Sequence, residues 1–185
     1  MSCQELNLED LQEVSSACRK SEVIYQVAER FCERFSYRSV LAVQDISYII
    51  SSGRSAMIKF NNDPDSCARD FLKTIDQLTL TMEELKDEIN DFLQIKRYSR
   101  WKQASPQAAF VQKLCGDEVI SYQMCSQYVE NNNADRVANI LLCMIDHVYD
   151  ELKREIRHVE RQIKRELSIT KIKRNIFPEK DIIII

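Results

Sequence analysis

Lys96, Arg97, Arg100 and Lys102 place four cations within seven residues, wrapped around Tyr98 and the chain's one tryptophan, Trp101. No acidic residue interrupts them. Tyr and Trp favour the boundary between water and lipid, and each Lys or Arg near an anionic surface is worth about 1 kcal/mol. The chemistry on offer is recognition of an anionic phospholipid surface, enough for transient recruitment and too little for anchoring. A second basic run, Lys164-Arg165, Lys171 and Lys173-Arg174, offers the same chemistry further along. Both have plainer readings. Trp101 can plug a helix corner, the elbow cations can pair with acidic helices, and the late run suits the negative end of a helix dipole.

Nothing else in the chain is arranged for catalysis. His147 and His158 stand eleven apart on one helical stretch, with no ligand cluster around them. There is no glycine-rich phosphate loop, no Cys/His metal spacing and no nucleophile turn. Glu83-Glu84 is most simply a solvated face. The expectation is a protein that is not an enzyme and takes no cofactor and no metal. The seven cysteines, at 3, 18, 32, 67, 115, 125 and 143, are odd in number and form no CxxC pair. Cys18, Cys32, Cys115 and Cys125 lie on or near apolar helical positions and read as buried small hydrophobes of a reducing cytosol.

The elements that position the elbow are helices. Two glycines and three prolines in 185 residues leave little to break them. Ile75, Leu78, Met82, Leu85, Ile89 and Phe92 recur at steps of three and four, which predicts an amphipathic helix from about Ser66 to Gln94 that leads into the elbow. Before it, Leu8 to Phe35 carries a stripe of Leu11, Val14, Ala17/Cys18, Ile24, Ala28, Phe31 and Phe35, with a possible break at Arg19 to Glu22. A second helix, from Ser36 or Ser39 to about Phe60, is expected to bury Val40, Val43, Ile46, Ile50, Met57 and Tyr48. Gly53 inside it points to a kink or a close helix crossing, and residues 61–66 are the clearest turn. After the elbow, Ser105 is the expected N-cap and Pro106 the first helical residue. That helix runs to about Glu130, interrupted at Gly116, with Phe110, Val111, Leu114, Cys115, Tyr122, Cys125 and Val129 inward.

The last helix is the longest. Leu141, Ile145, Val148, Leu152, Ile156, Val159, Ile163 and Leu167 form one narrow stripe over a rod of roughly 60 Å. Its first half is apolar enough to dock on a bundle, while its second half, mostly charge, is expected to project beyond the bundle or to pair with another copy of itself. Leu141, Ile145, Val148, Leu152, Ile156, Val159 and Ile163 are the expected oligomer or brace contacts. The predicted fold class is therefore all-α: a four-helix up-down bundle over 1–131, a brace helix over 132–175, and a linker over 176–185 towards a further domain. The N-terminus is polar and acidic, unlike a signal peptide. No apolar run reaches the roughly 20 residues of a membrane span. A cytoplasmic chain is expected, meeting membrane only conditionally.

The segment MEELKDEINDFLQIKRYSRWKQAS at 82–105, with FVQKLCGDEV at 110–119, resembles the N-terminal helical domain of the mixed lineage kinase domain-like pseudokinase and its fungal and plant relatives, the HeLo-like group of cell-death bundles. Met82-Glu83-Glu84, Glu88-Ile89, Phe92, Arg100-Trp101 and Ala104-Ser105 follow that group's order without gaps, and Leu114-Cys115 suits a fungal member. The resemblance implies an executioner of necroptosis-like regulated cell death and innate immunity, which self-associates and then binds and disrupts anionic phospholipid membrane. It implies a brace helix and, beyond it, a kinase-like or other effector domain. In that group basic residues of the first helices meet lipid. Here residues 1–95 hold 10 Lys/Arg against 17 Asp/Glu, which shifts the expected contact to the elbow and the brace. The runner-up is a cytosolic helical adaptor or oligomerisation module whose 141–167 stripe binds a partner helix and never touches lipid. A nucleic-acid partner is not expected from a net charge of −3 and no reading motif.

Overall fold

A computed structural model describes residues 8–35, 48–49, 51–55, 68–116 and 120–176. The expected turn at 61–66, most of the expected second helix and the linker from 177 onwards lie outside the described residues. The helices are α1 (Leu8–Phe35), α2 (Ala68–Ile95), α3 (Pro106–Gly116), α4 (Tyr122–Glu130) and α5 (Ala134–Ile176), with a further helical stretch at 51–55. Among the described residues there is no strand, and the fold is all-α. The helices bundle around α5, which packs against α1, α2 and α3, while α1 also meets α4.

The core follows from helical spacing. Ile75, Leu78, Met82, Leu85 and Ile89 of α2 are fully buried, as their period predicts. They meet Ile24 and Tyr25 of α1 and Leu141, Leu142, Met144 and Ile145 of α5 in one cluster. Each such aliphatic side chain contributes on the order of 1.5–3 kcal/mol when removed from water. The stretch expected as a brace feeds its first half into this cluster. Val137 to Leu142 are all buried, so that part of α5 is enclosed all round and not along a narrow stripe, because other helices surround it.

The expected break at Arg19 to Glu22 is absent, and α1 is continuous. Lys20 turns inward there, 5% exposed, and its Nζ lies 2.8 Å from Glu151 Oε1 on α5. The next hydroxyl, of Ser21, donates back to the Ala17 carbonyl at 2.9 Å and leaves the helix intact. The helix from Pro106 to Glu130, expected to be interrupted at Gly116, is divided there into two, α3 and α4. Tyr48 and Phe110, expected inward, are exposed at 75% and 49%, while Ile49 is buried. Leu114 and Tyr122 are half-buried.

Gly53 marks a close helix crossing. A Cβ there would overlap the hydroxyl of Tyr25. That hydroxyl lies 2.9 Å from Thr81 Oγ1 in the core, so the glycine lets the 51–55 stretch ride over a buried α1–α2 hydrogen bond. Arg54 then closes the contact with a fork onto Glu22 at 2.7 Å and a further pairing with Glu29.

Candidate functional site

The elbow begins where α2 ends in a tight reversal. The Tyr98 N–H donates to the Leu93 carbonyl at 2.8 Å and the Arg97 N–H to the Gln94 carbonyl at 3.0 Å. This is the Schellman pattern, in which the residue after the cap takes the left-handed conformation. That residue is Arg97, with φ of 57°, at a place that favours glycine. The hydrophobic contact that accompanies the motif is present: the Tyr98 ring lies 6.2 Å from that of Phe92, which meets Phe31 edge-on at 5.0 Å. Tyr98 is thus the outer member of an aromatic row rooted in the core.

The far end of the elbow closes as the sequence predicts. Ser105 Oγ accepts the Ala108 N–H at 3.2 Å, and α3 starts at Pro106. Between the two ends, Asn139 of α5 reads the elbow backbone. Its Oδ1 accepts the Trp101 N–H at 2.7 Å, and its Nδ2 donates to the Ser99 carbonyl at 3.0 Å and to the Asp135 carbonyl at 2.8 Å. Asn139 is 1% exposed, and three of its hydrogen-bonding positions are satisfied.

Arg100 Nη2 lies 2.8 Å from Asp146 Oδ2, and Lys86 Nζ 2.7 Å from Asp146 Oδ1, so Asp146 ties the elbow to α2 and α5. Arg100 also donates to Asn90 Oδ1 at 3.2 Å. Of the four cations expected to meet lipid, Arg100 is therefore engaged in internal pairing. Lys96, Arg97 and Lys102 are exposed. Beside them Ile95 is 78% and Tyr98 41% exposed. Trp101 is half-buried and packed on the core. It forms a wall shared by two cavities, a polar one of about 430 Å³ towards Arg100 and Asp146 and a more apolar one of about 650 Å³ between α3 and α4.

The second basic run does not join the elbow. Lys164 lies 25 residues beyond Asn139 on one unbroken helix, roughly 37 Å along its axis. Lys164 and Arg165 are exposed, while the side chains of Lys171, Lys173 and Arg174 lie outside the described residues. The stripe assigned to oligomer or brace contact faces inward in this conformation. Leu141, Ile145, Val148, Leu152 and Val159 are buried, and Ile156 and Ile163 half-buried, all against the chain's own core. They are available to a second copy only if this part of α5 lifts away.

That part of α5 is held by charge. Lys20 pairs with Glu151, and His147 Nε2 meets Glu151 Oε1 at 3.1 Å. Burial works to raise the Glu151 carboxyl, but hydrogen bonds from His147 and Lys20 outweigh it and hold the group below its ordinary value. Cys32, Cys115, Cys125 and Cys143 are free thiols. Burial pushes the thiols of Cys32, Cys125 and Cys143 up to about 11 and that of Cys115 to about 12. Among the described residues no group of His, Cys, Asp or Glu is arranged to hold a metal ion, and no helix is long and apolar enough to cross a membrane.

Asn139 and Asp146 were not singled out by sequence reasoning. The signal for Asn139 is a lone amide inside the apolar run Val137-Ala138-Asn139-Ile140-Leu141-Leu142, where a buried polar group requires partners. No known protein family, curated protein or solved structure matches the chain.

Proposed function

We propose that this chain is a membrane-targeting and membrane-permeabilising executioner domain of a regulated cell-death protein of the HeLo-like kind, active after oligomerisation. The observation that carries the reading is the exposed cluster Lys96, Arg97 and Lys102 beside exposed Ile95 and Tyr98 at one helix end. Three cations contribute about 3 kcal/mol at an anionic surface, a weak single-copy affinity. Several copies acting together multiply it through avidity. Self-association uses the stripe Leu152, Ile156, Val159 and Ile163, which the resting conformation keeps folded inward. Activation in this account breaks the Lys20–Glu151 pair, lifts the second half of α5 and exposes the stripe. The protein moves from cytoplasm to membrane, under control of a kinase-like or other domain beyond the brace.

The test is dye release and vesicle sedimentation with the purified chain. Phosphatidylcholine vesicles are compared with vesicles containing an anionic lipid, at low and high salt. Binding and leakage confined to anionic vesicles, weakened by salt and abolished by Lys96→Glu, Arg97→Glu and Lys102→Glu together, support the reading. A folded protein that neither binds nor leaks, also as an oligomer, sinks it.

A second reading has its own observation. The 650 Å³ cavity between α3 and α4 is flanked by exposed Phe110, whose ring packs on Tyr128 at 5.5 Å. An exposed aromatic beside an apolar groove suits an adaptor that takes a partner's helix. Binding that ignores lipid and salt and is lost in Phe110→Ala favours this module.

A further inference from the structure

We propose that Ser99 is a phosphorylation acceptor for a basophilic protein kinase, and that phosphate there switches off the cationic elbow. Three observations meet at this residue. Arg97 and Lys96 stand two and three positions before it, the placement that acidic pockets of basophilic kinases read through charge-assisted hydrogen bonds. Ser99 is exposed and lies in non-helical backbone between α2 and α3. The strain of its flanking turn favours opening, because Arg97 occupies a left-handed position that non-glycine residues hold at a cost. A kinase needs the segment extended. Opening it releases the cap bonds of Tyr98 to Leu93 and Arg97 to Gln94, the Asn139 contacts to Ser99 and Trp101, and the Arg100 pairing with Asp146.

Two other described serines near cations lack this combination. Ser21 follows Arg19-Lys20 but is fully buried, with its hydroxyl donating to the Ala17 carbonyl. Ser55 follows Arg54 but sits in helix and donates to the Ser51 carbonyl.

The step is a simple transfer. The Ser99 hydroxyl oxygen attacks the terminal phosphorus of a nucleoside triphosphate, the oxygen–phosphorus bond forms, and the bond to the diphosphate leaving group breaks. The hydroxyl proton passes to the kinase's catalytic carboxylate. The product carries close to two negative charges at neutral pH among Lys96, Arg97, Arg100 and Lys102. It roughly halves the elbow's positive charge and competes with Asp146 for Arg100. The acceptor assignment is independent of the lipid reading; the switching consequence rests on it.

The experiment incubates the folded chain with ATP and the catalytic subunit of the cAMP-dependent kinase, followed by peptide mass spectrometry. Phosphate on Ser99, absent in Ser99→Ala and reduced roughly tenfold or more in Lys96→Gln with Arg97→Gln, supports the acceptor. Phosphate elsewhere with Ser99 untouched, or labelling indifferent to both cations, overturns it. The phosphorylated and plain proteins are then sedimented with anionic vesicles. Binding weakened roughly 10- to 30-fold by phosphate supports the switch. Equal binding of both forms overturns the switch. Binding by neither form overturns the lipid reading and the switch with it, while the mass spectrum still decides the acceptor.

Discussion

The side-chain oxygen of Asn139 accepts the backbone N–H of Trp101 at 2.7 Å, across 38 residues of sequence. An amide buried in the middle of α5 thus sets the path of the elbow that carries the exposed cations. It recognises backbone, so it fixes shape without depending on which side chains the elbow displays.

Loss of that amide loosens the elbow. Asn139→Ala leaves the Trp101 N–H and the Ser99 carbonyl without their protein partner, and the expected cost is about 2 kcal/mol. Asn139→Asp keeps the shape but turns an oxygen towards the Ser99 and Asp135 carbonyls, so it costs at least as much. Urea unfolding measures the stability. Trp101, the only tryptophan, reports the elbow through a red-shifted emission that a distant core mutation of equal cost does not produce.

Gly53→Ala reverses the usual rule for helical glycines. Alanine normally gains about 1 kcal/mol in a helix. Here its methyl meets Tyr25, and the expected result is a net loss of about 1–3 kcal/mol from overpacking. Pairing it with Tyr25→Leu removes both the hydroxyl and the ring carbons that the methyl strikes. A double-mutant cycle by thermal unfolding is expected to show a favourable coupling of about 1 kcal/mol.

Arg97→Gly relieves the left-handed turn. Its expected gain is about 0.5–1 kcal/mol in stability, with Arg97→Ala giving none, since both remove the charge and only glycine accepts the φ of 57°. Parallel thermal melts of the two variants separate backbone relief from charge removal.

Acid weakens the hold of α5 on α1. The Glu151 carboxyl is depressed in the folded state. Its contribution is complete above the ordinary glutamate value of about 4.3 and is lost as pH falls through the lower folded value. Glu151→Gln is expected to cost about 2 kcal/mol at neutral pH, discounted for partial exposure of the pair. It also flattens the acid limb of the stability curve. Urea midpoints from pH 7 down to pH 3, for both proteins, check the amount and the direction.

Much of the helical layout was legible before any coordinates. The steps of three and four from Ile75 to Ile89 mark one helix face, and those residues are buried. Ser105 and Pro106 start α3 as a cap and first helical residue because both act within one turn. Gly53 announced a kink or a close crossing through its missing side chain, and the crossing is what Tyr25 makes there. The elbow's location was legible too, as cations and aromatics between two helical patterns. Its internal economy was not, since Arg100 and Lys102 look alike in sequence while Arg100 faces Asp146.

What the sequence by itself determined is what neighbours along the chain decide: helix, cap, amphipathic face and the density of charge at the elbow. Only the tertiary structure decided that Val137 to Leu142 are enclosed on every side, that Lys20 is turned inward to Glu151, and that Asn139 holds the elbow. It also decided that the stripe from Leu141 to Ile163 faces the chain's own core and that Lys164 and Arg165 lie far along α5 from the elbow. The physical reason is distance along the chain. Helical periodicity is set within four residues, whereas Trp101 finds Asn139 at a separation of 38 and Lys20 finds Glu151 at 131. Such partners are chosen by which helix packs where, and no local pattern encodes that choice.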